Sequence, residues 1–121
     1  MHDAAKAYRV ASAHTANQRA LEADLLLKAA AAMQAVHEAW PGNGPDLSQA
    51  LLYNRKLWLL LIASVTSPDN PLPVAIRQNV ANLGVFIMKQ LLAMVVDPQP
   101  EQLLPMIRIN CDIAAGLLGR A

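Results

Sequence analysis

Three proline-rich breaks cut this sequence into segments that are long, apolar and patterned at intervals of three and four. The breaks are Pro41-Gly42-Asn43-Gly44-Pro45, Ser67-Pro68-Asp69-Asn70-Pro71-Leu72-Pro73 and Asp97-Pro98-Gln99-Pro100. Proline removes a backbone donor and biases the residue before it away from helical geometry, so these stretches end helices. Between them there is no strand-like alternation, and the apolar residues recur at helical spacing. The predicted architecture is therefore all-α: a small bundle of four main helices plus a short N-terminal helix, in a single domain over residues 1–121.

Residues 3–14 are alanine-rich and are predicted to form the short helix, with Ala5, Tyr8 and Val10 toward apolar neighbours. Asn17 is placed to cap a helix that runs to about Trp40. Its inner face is Leu21, Leu25, Ala29, Ala32, Val36 and Trp40, widened by Leu26, Ala30 and Met33; alanines 29–32 let another helix approach closely. Asp46 then caps a helix from Leu47 to about Val65 with Leu47, Leu51, Trp58, Ile62 and Val65 inward. Asn54 falls in that same stripe, where an amide must find partners or cost about 1–3 kcal/mol.

The next helix is expected to be capped by Asp69 or Asn70, with Pro71 or Pro73 in its first turn, and to run to about Val96. It presents Ile76, Val80, Leu83, Ile87, Leu91 and Met94 inward, and Gly84 inside it marks a close helix crossing. The last helix covers Glu101 to Leu118, with Leu103, Ile107, Cys111, Ala114 and Leu117 or Leu118 inward and Gly119 as its stop. Pro105 either lies in its first turns or separates a short turn at 101–104.

Composition narrows the function. Apolar residues make up 55 % of the chain and charged ones only 16 %, where roughly 45–50 % and about 25 % are usual. A small domain has limited interior, so part of that apolar excess is expected at a surface that takes a partner. The net charge of +1 disfavours nucleic acid and anionic lipid as partners. The single cysteine, Cys111, excludes an internal disulfide and fits a reducing compartment. Every uncharged apolar run is far short of the ~20 residues that span a bilayer, and MHDAAKAYRV lacks the form of a secretion signal. These features point to a cytoplasmic protein without membrane insertion.

Chemistry is sparse. His2, His14 and His37 have no ligand spacing, so no metal site is expected. The acids are scattered, several of them at helix starts, and no pair is placed for acid–base work. Cys111 sits on an apolar face, as a small hydrophobe does, and no glycine-rich phosphate loop follows a strand. The chain is expected to be no enzyme and to use no cofactor. Arg55 and Lys56, with Arg77 and Lys89, form a mildly basic cluster that reads as a solvated face, or in a sharper reading as an RNA contact. Asn54, Asn79, Asn82 and Asn110 interrupt apolar helices. They are either buried amides serving the fold or a polar rim for a partner helix.

The residues themselves resemble a known family. Ala20-Leu21-Glu22-Ala23-Asp24-Leu25-Leu26-Leu27-Lys28-Ala29-Ala30 and Ala50-Leu51-Leu52-Tyr53-Asn54-Arg55-Lys56-Leu57-Trp58 are followed by Asp69-Asn70-Pro71-Leu72-Pro73. Arg77-Gln78-Asn79-Val80-Ala81-Asn82-Leu83-Gly84 and Ile107-Arg108-Ile109-Asn110 with Ile113-Ala114-Ala115-Gly116-Leu117 complete the pattern. In order and spacing this resembles FlaF, the flagellar biosynthesis regulator of flagellated alphaproteobacteria, over nearly the whole chain after Ala16. The resemblance implies a cytoplasmic, non-enzymatic protein that binds flagellin before export, promoting its synthesis and secretion in opposition to a further regulator, FlbT. The alternative it leaves open is post-transcriptional regulation of flagellin messenger RNA, directly or through FlbT. The face expected to take the partner carries Tyr53, Arg55, Trp58, Leu72, Arg77 and Asn82.

Overall fold

The computed structural model describes residues 2–42 and 44–120. Side-chain positions are described from residue 15 onward, apart from residue 43, and for residues 4–7. The elements are α1 (His2–Glu38), α2 (Gly44–Thr66), α3 (Val74–Val96), a 3-10 turn (Pro100–Gln102) and α4 (Leu103–Leu117), with no strand among the described residues. The all-α bundle of four main helices is as the sequence predicts.

The N-terminal piece is continuous with the first main helix, and Asn17 lies inside α1 rather than at a cap. No proline or glycine separates residues 3–14 from the remainder of α1, and alanine favours an unbroken helix. Ala5 is exposed; the expected packing of Tyr8 and Val10 lies outside the described side chains.

The α1 and α4 helices share the most extensive packing, α2 packs on both α1 and α3, and α3 touches α4 only lightly. The buried core gathers Ala23, Leu26, Ala29 and Met33 of α1 with Leu57, Trp58 and Leu61 of α2, Ile87 and Met94 of α3, and Leu103, Met106 and Ala114 of α4. The α1 stripe is thus turned from the expected one: Leu21 and Ala32 are exposed, and Leu25, Val36 and Trp40 are only partly covered. In α4 the inner face is Leu103, Met106, Asn110 and Ala114, one position off Ile107 and Cys111, which are half-buried. On α3, Ile76 is exposed near the helix start and Gly84 takes the central buried position instead of Leu83.

At Gly84, α3 lies directly against side chains of α2. A methyl group built on it would come within 2.6 Å of Ile62 Cγ1 and 3.5 Å of Trp58 Cε3. Only a residue without Cβ lets the two backbones approach this far.

The breaks serve the fold in their own ways. Asp46 sits in the first turn of α2, two residues inside the helix start, where its charge favours the helix dipole. Helix α3 begins only after Pro73, without a side-chain cap. Asn70 reaches back instead: its Nδ2 donates to Ser64 O (3.0 Å) and its Oδ1 accepts from Leu72 N (2.9 Å). The corner is therefore tied to the end of α2. Pro105 stands in the first turn of α4, where its missing donor would have no helical partner anyway. Gly119 (φ +73°) ends α4, with Arg120 N donating to Ala115 O (2.8 Å) in a Schellman arrangement.

By length and composition α3 is apolar enough to cross a membrane, although most of it is exposed. Uncharged runs alone do not show this, because Lys89 divides the helix. Its buried side meets α2, so it acts here as a core helix on one face.

Candidate partner-binding site

Six residues were expected to share one face; the structure distributes them. Trp58 is fully buried. Its Nε1 donates to Asn110 Oδ1 (2.9 Å), and Asn110 Nδ2 donates to Asn54 Oδ1 (2.8 Å) and to the Leu26 carbonyl (3.3 Å). Asn54 and Trp58 lie four residues apart on α2, so one helix face presents both to Asn110. This amide junction links α1, α2 and α4 at the centre of the bundle. It makes Trp58 a core residue, not the wall of a surface groove.

The two asparagines of the junction are the buried amides that serve the fold. Asn79 and Asn82 differ from them, lying exposed on α3, where Asn82 Oδ1 accepts from Gln78 Nε2 (3.0 Å). Arg55 and Lys56 are exposed on α2. Arg77 is half-buried and donates from Nη1 to the Ser67 carbonyl (3.3 Å), so it braces the proline corner and is not a free basic contact. The basic cluster is not assembled around it.

Two of the clefts at the surface each hold one of the six. The first, of about 410 Å³, lies between α1 and the proline corner, lined by Gln18, Arg19 and Glu22 on one side and by Asn70, Pro71 and Leu72 on the other. Ser64, Ser67, Asp69 and Leu117 complete it with Thr15. Its lining mixes apolar side chains, Leu72 and Leu117, with polar ones. Arg19 Nε is buried there and meets no acceptor among the described residues. The second cleft, also about 410 Å³, runs between α1 and α2 and is lined by Ala32, Ala35, Val36, Ala39, Ala50 and Tyr53, with Asp46 and Gln49 at its edge.

The corner cleft is not foreseen by the sequence pattern. Gln18, Arg19 and Glu22 look like ordinary solvated positions along α1, and nothing local shows that the far end of α2 folds back to meet them. The signal was the density of prolines at 68, 71 and 73, which forces the chain to turn beside α1.

A family model described as flagellar protein FlaF matches residues 4–117, nearly the whole chain. The chain belongs to the FlaF family. The match covers α2 to α4, the corner and nearly all of α1, so the amide junction and both clefts lie inside the part that is FlaF-like. No curated protein and no solved structure gives a match. The family places this protein in flagellar biology.

Proposed function

We propose that this FlaF protein binds flagellin in the cytoplasm as a non-enzymatic chaperone, promoting its synthesis and secretion. The observation that carries the reading is the corner cleft, lined by apolar and polar side chains together, on a flagellar-family bundle with exposed apolar surface to spare. Flagellin's terminal segments are disordered until they assemble, and their amphipathic helices would otherwise associate early. An amphipathic helix laid into such a groove sets its apolar side on Leu72 and Leu117, and a main-chain or side-chain acceptor on it would satisfy Arg19. Ordering a disordered segment uses up part of the interaction energy, so affinity stays moderate. That suits cargo that is handed on at the export gate.

Tyr53, Arg55, Leu72, Arg77 and Asn82 take different parts in this reading. Leu72 contacts the segment, Arg77 holds the corner that presents Leu72, and Tyr53 serves the separate α1–α2 cleft. Arg55 and Asn82 stand outside both. A direct action on flagellin messenger RNA is disfavoured by the near-neutral charge and by the tying of Arg77 into the corner. FlbT would then act as a protein partner in the same regulation.

The test is calorimetric titration of the purified chain with full-length flagellin, and then with flagellin lacking each terminal segment. Micromolar or tighter binding that disappears with one truncation supports the reading. No binding to any of them, at moderate and at low salt, refutes it.

A further inference from the structure

Half of the large apolar side chains exposed among the described residues lie on α3. Three of them stand at its C-terminal end, where Leu92, Val95 and Val96 are 66, 75 and 79 % exposed. Helix α3 packs on α2 through its opposite side and touches α4 only lightly, so this outer face has no partner within the bundle. It is not featureless. Lys89, Leu92, Ala93, Val96 and Asp97 fall at helical spacing and line a shallow depression of about 490 Å³, with Gln102 at its edge.

The charges of that stripe are arranged in a way that suits one occupant in particular. Lys89 and Asp97 are both exposed and stand at its two ends, eight residues apart, about 12 Å along the axis at 1.5 Å per residue. Lys89 has no ion pair among the described residues, and Asp97 uses only its Oδ1, accepting from Gln99 Nε2 (3.3 Å). The small residue Ala93 lies midway. A parallel copy of the stripe would set Lys89 against Lys89. A two-fold axis opposite Ala93 instead sets Lys89 of each copy against Asp97 of the other, with Leu92 and Val96 of both enclosed between the two ion pairs. A two-fold interface uses the same patch twice and must be self-complementary in this sense.

We infer that the outer face of α3 docks a second copy of this chain, antiparallel, about a two-fold axis at Ala93. The apolar stripe supplies the attraction and the two Lys89–Asp97 pairs set orientation and register, as rim charges do at interfaces. This stands apart from the flagellin reading, which uses a different face.

The experiment is sedimentation equilibrium of the full chain across the micromolar range, with L92E, K89E and D97K. All three positions are exposed, so each variant should keep the helical fold, checked by circular dichroism. The parent is expected to dimerise reversibly and L92E to be monomeric. K89E and D97K should each weaken self-association about tenfold, since exposed pairs are individually modest. Mixed together, K89E and D97K should form a heterodimer more readily than either forms a homodimer, because every facing pair is then of opposite sign. A parent that stays monomeric overturns the inference, as does a dimer indifferent to all three substitutions. A monomeric parent whose flagellin binding is weakened by L92E would assign the face to cargo, and overturns it equally.

Discussion

Replacing Asn110 by alanine tests the amide junction, and the structure gives the size of the effect. The side chain makes three hydrogen bonds: it accepts from Trp58 Nε1 and donates to Asn54 Oδ1 and to the Leu26 carbonyl. Its removal leaves the indole N–H and the Asn54 carbonyl buried without partners, and each such group costs about 1–3 kcal/mol. The Leu26 carbonyl keeps its place in helix α1, so its loss adds little. A small void in a site with no exposed surface adds to this. The sum is about 3–5 kcal/mol, a large share of the total for a domain whose whole stability is on the order of 5–15 kcal/mol. Trp58→Phe removes the donor and part of the buried ring system, leaving Asn110 Oδ1 unsatisfied beside a void, for about 2–4 kcal/mol. The assay is urea unfolding followed by circular dichroism, on the parent, both single variants and the double variant. Because both substitutions break the same bond, the double variant should fall short of the sum by about 1 kcal/mol or more. Additivity within about 0.5 kcal/mol, or an Asn110→Ala variant as stable as the parent, would refute the junction as the central tie of the fold.

Other substitutions probe separate parts of the structure. Trp58→Ala should cost about 3–5 kcal/mol by thermal or urea unfolding, as expected for a core indole with no exposure. Gly84→Ala should destabilise by about 1–2 kcal/mol, because the clash with Ile62 outweighs the gain in helix propensity; in an Ile62→Ala background the same change should become neutral or stabilising. Gly119→Ala should lower stability by about 1–2 kcal/mol, read as a fall in melting temperature, since φ +73° suits glycine alone at that helix end. Asn70→Ala should cost about 1–2 kcal/mol and loosen the corner, seen as faster amide exchange at Leu72.

The helices were legible because their boundaries are chemical. Pro41–Pro45, Ser67–Pro73 and Asp97–Pro100 break helices, and the stretches between carry apolar residues at helical spacing. Gly84 was legible for the same reason: a glycine inside a strong helix asks for a close neighbour. Facing was read less well. In α1 and α4 so many positions are apolar that several stripes fit the pattern, and the choice between Ile107 and Met106 is made by the partner helix and not by periodicity. Asn70 was expected at the start of α3, yet its amide closes the end of α2, because Pro71 and Pro73 delay the helix and leave Ser64 within reach. The partner-binding residues were the least legible. Trp58 falls both in the inward stripe of α2 and on the expected partner face with Tyr53 and Arg55, and its bond to Asn110, distant in sequence, fixes it in the core. The corner cleft joins α1 to residues far along the chain, a contact with no local signature.

The most direct test of flagellin capture at the corner cleft is binding by Leu72→Glu, measured calorimetrically beside the parent. Leu72 lines the cleft, half-buried at the edge of the core and outside the amide junction, and the fold of the variant is checked by melting. Its affinity for full-length flagellin is expected to fall at least tenfold, while that of Arg55→Glu, outside both clefts, stays at the parent value. Parent-like binding by a folded Leu72→Glu protein would contradict capture at this cleft.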